Sequence, residues 1–466
     1  MHSPLEPDSA TMDELGRAVL DRATAFVESL PDRPASVADP EEAAAVMRAM
    51  LAPPPEQPEP LDDLLARLDR ATTCAIEGAG PGYLGFIPGG GVFAAAVAEL
   101  YARATNRFAG LTDFAPGQIA LEYSVVRWLC DVSGLPSTAG GVLLSGGSMA
   151  NFAATVAARR AGLGERIAQG TLYVSVHAHQ SVAKAAMLAG LPSDAVRAVP
   201  CTRELRMDAT AAAGMIAADR AAGRTPFLIA ATAGTTNTGA IDPLGELADL
   251  AEREGLWLHV DGAYGGLFRL TDRGRERLQG IERADSITLD PHKSLFMPYG
   301  TGALVVRDVQ RLRAAHRMGA AYLQDLDGDV TIPNFADIGP ELTREIRGLR
   351  VWLPLHLHGV AAFRAALDEK LDLARHAYER LAANPALDTP WEPELTVVAF
   401  RAASDEATRR LLEQVNASRR VFLSSTTIDG RYTLRLSILS HRTHADHVDE
   451  ALDLIAAATP RLRQTA

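Results

Sequence analysis

The sequence predicts an α/β fold, with a mostly parallel central sheet covered by helices on both faces and a small α+β C-terminal domain. Between residues 141 and 308, short apolar runs such as GVLL and PFLIAAT alternate with helix-like segments. Continuous apolar strands between helices are typical of a parallel sheet that is buried on both faces. After residue 352 the strand-like runs are mixed with helices instead. With 466 residues the chain is also too long for one ordinary core.

These patterns divide the chain into three predicted regions. Residues 1–92 are predicted to form an N-terminal helical arm, because an amphipathic pattern is followed by a proline-rich stretch near residue 55. Residues 93–352 form the large α/β domain. Residues 353–466 form the small C-terminal α+β domain, which begins with a long helix over about 353–383. The arm cannot bury much surface by itself, so we expect it to clasp a partner subunit.

The composition is that of a soluble globular protein, with 47% hydrophobic and 22% charged residues. A net charge of −12 argues against a nucleic-acid partner, because phosphate binding requires clustered lysine and arginine. The three cysteines are far apart in the sequence, which fits a reducing compartment. The N-terminus does not resemble a signal peptide, and no apolar run has the length of a membrane span. We therefore expect a cytoplasmic protein with no nucleic-acid or membrane partner.

Polar or glycine residues follow five of the predicted central strands. These five segments are Ser145–Ser148, His177–His179, Gly234–Thr236, Asp261–Tyr264 and Asp290–Lys293. In open α/β sheets, ligands bind at the carboxyl ends of the strands. The sequence therefore predicts one shared site that is built from these five segments.

The segments offer groups that suit a phosphorylated aromatic ligand. Ser145–Ser148 leads into a helix, whose N-terminal N–H groups can bind phosphate, although an ordinary strand-to-helix turn has the same sequence features. Asp261 suits a pyridinium N–H, unless it only caps the next turn. Lys293 at a strand-end turn can form an imine, whereas most single lysines lie on the surface. The flat ring of His179 could stack on an aromatic ligand or belong to the core. The combination is more specific than any one residue.

This combination resembles the group II pyridoxal-phosphate decarboxylases, the family of aromatic-L-amino-acid decarboxylase. The resemblance extends from about Gly80 to Arg442, and its strongest motifs are HVDGAYGG (259–266) and DPHKSL (290–295). GPGYLGFIP, LSGGSMAN, HAHQSVAKAA and LRLSIL are also similar to segments of this family. The resemblance implies a fold-type I, aspartate-aminotransferase-like enzyme that is a homodimer with active sites at the subunit interface. It also implies decarboxylation of an L-amino acid to the amine and CO2.

The resemblance further implies a role for each site residue. Lys293 forms the Schiff base with pyridoxal 5'-phosphate, Asp261 pairs with the ring nitrogen and His179 stacks on the ring; these three are the predicted catalytic residues. Ala263 packs beneath the ring and His292 contacts the phosphate. The complete set of predicted cofactor-binding residues is Gly147, Ser148, His179, Thr235, Asp261, Ala263, His292 and Lys293. No metal is expected.

Two residues depart from the family pattern. The family more often has asparagine at the position of Asp290, and because a carboxylate near phosphate is unfavourable, we expect Asp290 to point elsewhere. The loop over about 320–345 normally carries a tyrosine that donates a proton, but Phe335 aligns there, with Tyr322 as the nearest alternative tyrosine. A phenyl ring cannot donate a proton. The alternative reaction is therefore decarboxylation-dependent oxidative deamination to an aldehyde.

The predicted substrate pocket contains Phe86, Ile87, Phe108 and Phe335, and this favours an aromatic or other apolar amino acid. The alternative is that these side chains only pack in the core. Another fold-type I lyase or an aminotransferase is an alternative activity.

Other classes of protein are less well supported by the sequence. His441, His444 and His447 have spacings that suit the metal ligands of a hydrolase, but Thr443-x-x-Asp446 before an apolar run is more typical of a helix start. No GxGxxG motif indicates a nicotinamide-dependent dehydrogenase. The intact aspartate and lysine of the two strongest motifs argue against a non-catalytic binding protein.

Overall fold

The computed structural model describes residues 5–36, 40–87, 89–317 and 332–463. In this part of the chain the larger sheet has seven strands, in the order β1-β7-β6-β5-β4-β2-β3. The strands are β1 (Gly140–Leu144), β2 (Gly170–Ser175), β3 (Val196–Val199), β4 (Thr225–Thr232), β5 (Trp257–Asp261), β6 (Ser286–Leu289) and β7 (Gly302–Val306). Neighbouring strands are parallel, except that β7 is antiparallel to both β1 and β6. The predicted fold class is confirmed.

Helices enclose this sheet. Every residue of β1, β2, β5, β6 and β7 is buried, and because successive side chains of a strand point to opposite faces, both faces are covered. The helices up to the end of the large unit are α1 (Ser9–Ser29), α2 (Pro40–Met50), α3 (Leu61–Thr73), α4 (Phe93–Thr105), α5 (Pro116–Val132), α6 (Gly147–Leu163), α7 (Gln180–Leu188), α8 (Ala209–Ala221), α9 (Leu244–Glu254), α10 (Asp272–Arg277), α11 (Pro291–Ser294), α12 (Val309–His316), α13 (Phe335–Ile338) and α14 (Leu349–His358). None of the described helices is long and apolar enough to cross a membrane.

The helix α6 crosses the middle of the sheet and packs on β4, β5, β6 and β7. Its buried face is mostly alanine, with Ala150, Ala153, Ala154 and Ala157 at most 1% exposed. Small side chains let the helix axis lie close to the strands. As a result, the first turn of α6 is held beside the carboxyl ends of the central strands.

A second, smaller unit follows the central sheet. It contains α15 (Val360–Ala382), α16 (Asp405–Ala417) and α17 (Ala445–Arg463), together with β8 (Leu387–Asp388), β9 (Val397–Ala402), β10 (Ser424–Ile428) and β11 (Arg431–Ser437). In the described residues these four strands form an antiparallel sheet in the order β10-β11-β9-β8. This arrangement matches the predicted α+β character.

Two details of the chain path differ from the sequence-based expectation. The long helix predicted over about 353–383 is two helices, because Gly359 adopts a φ of 74° between α14 and α15. Only glycine adopts this left-handed conformation readily, so the helix is interrupted there. The end of the predicted arm also joins the smaller unit. Leu84 N donates to Phe422 O over 2.9 Å and Phe422 N donates to Gly82 O over 2.9 Å.

Candidate active site

The carboxyl ends of β1, β2, β4, β5 and β6 surround one cavity of about 280 Å³. These strands run in the same direction, so their carboxyl ends meet at one edge of the sheet. The volume is at the lower end of the range for small-molecule sites. The cavity is lined by Ser145, Gly146, Gly147, Ser148, Met149, Asn151, His179, Ser181, Thr232, Gly234, Thr236, Asp261, Ala263, Tyr264, Asp290, His292 and Lys293.

The structure brings most of the predicted cofactor-binding residues together at this cavity. Seven of the eight line it, namely Gly147, Ser148, His179, Asp261, Ala263, His292 and Lys293. Thr235 does not, because its side chain is fully buried and its Oγ1 lies 3.1 Å from Thr238 Oγ1. Two other threonines near this strand end, Thr232 and Thr236, line the cavity instead.

The turn at Ser145–Ser148 leads directly into α6 and forms one end of the cavity. No described side chain caps the first turn of this helix, so its N–H groups are available to an anion. Gly147 leaves no room for a side chain, since a Cβ there would lie 2.9 Å from Asp290 Oδ2 and 3.2 Å from Ala263 Cβ. The turn therefore has the geometry of a phosphate site, with backbone that a ligand can approach closely.

Asp261 at the end of β5 is 6% exposed, and both of its carboxylate oxygens accept hydrogen bonds. The backbone N–H of Ala263 donates to Oδ1 over 3.1 Å, and Asn151 Nδ2 donates to Oδ2 over 2.9 Å. Hydrogen bonds to a carboxylate are stronger than those between neutral groups. They hold the carboxylate in one orientation, facing the cavity.

A chain of buried side chains determines how Asn151 itself is oriented. Its Oδ1 lies 3.0 Å from His259 Nε2 and 2.7 Å from Thr288 Oγ1, and His259 Nδ1 lies 2.8 Å from Ser286 Oγ. Burial lowers the pKa of His259 to about 4, so its ring is neutral at neutral pH. Because an amide oxygen only accepts, His259 carries its proton on Nε2 and accepts at Nδ1 from Ser286. The Trp257 indole in turn donates to Ser286 Oγ over 2.8 Å.

Lys293 lies on the short helix α11, and its Nζ is 2.8 Å from Asp290 Oδ2. The expectation that Asp290 points elsewhere is therefore wrong. Its carboxylate lies between Gly147 and Gly302, where the absence of side chains leaves room for it. His292 Nδ1 donates to Thr301 O over 2.7 Å, and burial lowers the pKa of the His292 ring. Its other nitrogen, Nε2, faces Asp290 Oδ2 at 3.6 Å.

His179 caps the N-terminus of α7 and presents its ring to the cavity. Its Nδ1 accepts from Ser181 N over 3.2 Å and lies 2.7 Å from Ser181 Oγ. Ser181 Oγ also accepts from Asn151 Nδ2 over 2.8 Å. The position of the His179 ring is thus coupled to the side chains that hold Asp261.

The four predicted substrate-pocket residues do not line this cavity. Phe86 is 49% exposed, and Phe108 packs edge-on against Phe114, with 5.3 Å between the ring centroids. Ile87 is partly buried against the large core. Phe335 is fully buried, and the Arg344 guanidinium lies 4.6 Å from its ring centroid. Tyr322, the alternative loop tyrosine, lies outside the described residues.

The segment that carries Phe86 and Ile87 nevertheless runs close to the site. A side chain at Gly89 would collide with the backbone carbonyl of His292. Phe86 also lies near Phe422, with 6.2 Å between the ring centroids. An exposed aromatic side chain is therefore placed within a few residues of the cavity wall.

The sequence analysis did not identify Asn151 and His259, which help to orient the Asp261 carboxylate. Asn151 lies four positions after Gly147 in α6, so both residues lie on one face of the helix. His259 lies two positions before Asp261 in β5, so their side chains leave the strand on the same face. These two spacings were the available signals. The sequence did not show that the two faces meet.

Two other features of the described residues lie outside this cavity. A groove of about 570 Å³ lies at the opposite edge of the sheet, beside Phe227, Trp257 and Arg311, and no predicted site residue lines it. Within the described ranges, no group of three metal-ligating side chains exists. His444 Nδ1 lies 2.7 Å from Glu369 Oε1. A helix does start here, but α17 begins at Ala445, two residues after the predicted start, and Thr443 Oγ1 donates to Pro81 O instead of capping it.

The chain matches known proteins over most of its length. Residues 45–403 match the family model described as the pyridoxal-dependent decarboxylase conserved domain. An aromatic-L-amino-acid decarboxylase of Bacillus atrophaeus is 35% identical over 390 residues, which cover 81% of each chain. An L-2,4-diaminobutyrate decarboxylase of Rhizobium meliloti is 34% identical over 79% of this chain and 76% of the relative. A crystal structure of Oryza sativa TDC with PLP and tryptamine has a TM-score of 0.92 and 26% identity, covering 99% of this chain and 100% of that one. The chain therefore belongs to the pyridoxal-dependent decarboxylases, and its cofactor is pyridoxal phosphate.

Proposed function

We propose that this enzyme decarboxylates an L-amino acid with an aromatic or other apolar side chain to the amine and CO2, through a Schiff base on Lys293. One observation carries the proposal. The Lys293 amine, the Asp261 carboxylate and the N-terminus of α6 line the same cavity. An amine, an anion and a phosphate site are the three groups that pyridoxal phosphate requires.

The residues present fit this cofactor. Its phosphate fits the first turn of α6, where N–H groups are uncapped and Gly147 allows close approach. Its ring nitrogen fits Asp261, whose carboxylate is already oriented by Asn151 and Ala263. When bound, the cofactor supplies an aldehyde for the imine and a ring that accepts electrons as CO2 leaves.

The protein's own groups have distinct tasks in this proposal. With pyridoxal phosphate bound, Lys293 would provide the amine that holds its aldehyde carbon. The Asp261 carboxylate would accept the N–H of the cofactor's ring nitrogen. His179, which lines the cavity from the N-terminus of α7, would cover the cofactor and help to exclude water. The proton that the α-carbon receives must come from a group at the cavity or from a loop residue, and Tyr322 is the loop candidate.

The substrate class rests on the apolar character of the approach to the cavity. Phe86 is exposed beside Phe422, and Tyr83 stacks on Phe422 with 5.7 Å between centroids. A diamino acid would need a carboxylate for its second ammonium group. The only described carboxylates lining the cavity are Asp261, which the proposal assigns to the ring nitrogen, and Asp290, which lies 2.8 Å from Lys293 Nζ. This favours the aromatic substrate named for the Bacillus relative over the diaminobutyrate named for the Rhizobium relative.

The amine is proposed as the product rather than the aldehyde, because Phe335 is buried away from the cavity. We therefore expect Phe335→Tyr to leave the ratio of amine to aldehyde unchanged. The ratio is measured by mass spectrometry of products formed in air. A shift toward the amine in the variant would support the oxidative alternative instead.

The test of the whole proposal is incubation with pyridoxal phosphate and a panel of L-amino acids, with product masses measured. A product lighter than an aromatic amino acid by one CO2 supports the proposal. Release of an amine from 2,4-diaminobutyrate alone would contradict the substrate class. Consumption without loss of CO2 would point to another fold-type I activity, such as transamination.

The proposal includes a homodimer in which residues 1–92 clasp the partner subunit. Helix α1 of this arm carries exposed apolar side chains such as Val19 and Leu20, and α4 of the large domain carries Leu100 and Tyr101. Such patches are typical of protein interfaces. The mass in solution, measured by light scattering, should be twice that of the chain. A fully active monomer would contradict this part of the proposal.

A further inference from the structure

The groove of about 570 Å³ lies at the edge of the central sheet opposite the cavity that contains Lys293. Phe227 and Trp257 are near the amino ends of β4 and β5, and Arg307 follows the antiparallel strand β7, so all three lie at this edge. The apolar wall of the groove consists of alanines from α6 and α9 together with Phe227, Leu256 and Trp257. The volume is within the range of ~300–1,000 Å³ that is typical of small-molecule sites.

Five charged side chains also line the groove. They are three arginines, Arg283, Arg307 and Arg311, and two acidic residues, Glu252 and Asp285. The groove therefore carries one net positive charge, whereas the chain as a whole has a net charge of −12. Such a local excess of positive charge favours an occupant with a single negative charge.

The two acidic residues already have partners within the protein. Arg283 Nη2 donates to Glu252 Oε2 over 3.0 Å, and Arg283 Nη1 donates to Asp249 Oδ1 over 2.6 Å. Asp285 Oδ2 accepts from the backbone N–H of Leu258 over 2.9 Å, and burial raises the pKa of this carboxyl group. These contacts engage Arg283 as well, so it has little capacity left for a ligand.

Arg307 and Arg311, in contrast, retain unused hydrogen-bond donors. Arg307 donates from Nε and Nη2 to backbone carbonyl oxygens, but its Nη1 has no partner among the described residues. The Arg311 guanidinium makes no hydrogen bond to a described residue, and the carboxylate that it faces, Asp285, is 3.8 Å away. It lies 5.3 Å from the centre of the Trp257 ring, and this contact holds it beside the apolar wall. Guanidinium groups with free N–H donors bind carboxylates well.

We propose that this groove is a second binding site of the enzyme, for a small monocarboxylate with an aromatic body. The carboxylate accepts hydrogen bonds from Arg307 and Arg311, and the ring packs on the apolar wall beside Trp257. An amine of the same shape is excluded, because the arginines repel its positive charge. The groove lies at the edge opposite Lys293, so this inference does not depend on the proposed Schiff base.

The test is a calorimetric titration of the cofactor-loaded enzyme with hydrocinnamate and, separately, with phenethylamine, in which an ammonium group replaces the carboxylate. Arg311→Met removes the guanidinium and keeps an apolar side chain. It should fold, because the Arg311 side chain is 51% exposed. Arg160→Met is the matched control. Arg160 is an exposed residue of α6 that does not line the groove, and its loss changes the net charge equally.

We expect wild type and Arg160→Met to bind hydrocinnamate with the same dissociation constant. Arg311→Met should bind it about tenfold more weakly, because the carboxylate loses charged hydrogen-bond donors. Phenethylamine should not bind in the groove, so its titration curve should be the same for wild type and Arg311→Met. Arg311→Gln repeats the comparison if the methionine variant does not fold.

Equal dissociation constants of wild type and Arg311→Met for hydrocinnamate would overturn the inference, because the acid would then bind elsewhere. Absence of hydrocinnamate binding by wild type at millimolar concentrations would overturn it as well. So would phenethylamine binding that is weakened by Arg311→Met. The imine absorbance of the same samples tests the proposed function separately, since its absence in wild type would contradict the role of Lys293 and leave the result for the groove unchanged.

Discussion

Asn151 lies at the centre of the hydrogen bonds that hold the Asp261 carboxylate, and Asn151→Leu tests what these bonds contribute. The side chain is 1% exposed. It donates to Asp261 and Ser181 and accepts from His259 and Thr288, over 2.7–3.0 Å. Leucine has a similar size, so the substitution removes four hydrogen bonds with little change in volume.

The expected loss of stability follows from the groups left behind. Asp261 Oδ2 and the His259 Nε2–H would both lose a partner inside the protein. A buried polar group without a partner costs about 1–3 kcal/mol, and a charged one more. We therefore expect Asn151→Leu to lower the free energy of unfolding by about 2–6 kcal/mol. That is a large share of the ~5–15 kcal/mol that stabilises a typical protein.

The assay is urea denaturation of the cofactor-free protein, because bound cofactor would add its own stabilisation. The matched control is Thr155→Val, one turn further along α6. Thr155 is also buried, but its hydroxyl donates only to Asn151 O, over 2.8 Å, among the described residues. We therefore expect Thr155→Val to lower the free energy of unfolding by about 0.5–1.5 kcal/mol. The reasoning is refuted if Asn151→Leu destabilises the protein no more than Thr155→Val does.

Three further predictions concern other buried groups. Lys293→Ala should abolish both turnover and the imine absorbance, whereas Lys184→Ala on the exposed side of α7 should retain both. An imine band in Lys293→Ala would contradict the assignment of Lys293 as the Schiff-base lysine. The pKa of His259 in the folded protein is about 4, below its usual 6.5. The neutral ring therefore contributes fully to the free energy of unfolding above pH 6.5, and this contribution falls by about 3 kcal/mol as pH drops toward 4. The stability curves of wild type and His259→Gln should therefore converge over that interval, and parallel curves would contradict the prediction. Glu122 and Arg344 form an ion pair at 2.5 Å, and their side chains are at most 1% exposed. Glu122→Gln should therefore lower the free energy of unfolding, measured by urea denaturation, by about 3–5 kcal/mol. A decrease below about 1 kcal/mol would show that the pair is not structurally important.

The outline of the fold was predictable because each strand and helix has a local signature. Apolar runs between residues 141 and 308 alternate with helical segments, and they form the parallel strands of the central sheet. The break at Gly359 was not predicted, because the apolar pattern continues through it. The φ of 74° at that glycine is a property of the chain path and not of hydrophobic periodicity.

The sequence also predicted that the site residues lie at one edge of the central sheet. Asp261 ends β5 and Lys293 follows β6, and parallel strands bring such residues to one edge. The direction of a side chain was not predictable. Asp290 points into the cavity because glycines on α6 and β7 leave space for its carboxylate. Phe335 is buried beneath Arg344, although its place in the sequence predicted a position at the substrate.

Local patterns along the chain were enough to predict the fold class, the cofactor and the residues at the ends of the strands. These properties depend on periodicity and on short motifs, which are local along the chain. The groups that support those residues depend instead on contacts between distant parts of the chain. Asn151 and Asp261 are 110 positions apart and His259 and Ser286 are 27 apart, yet they form one chain of buried hydrogen bonds. Buried polar groups must find partners wherever the folded chain places them, and this requirement acts through space rather than along the sequence.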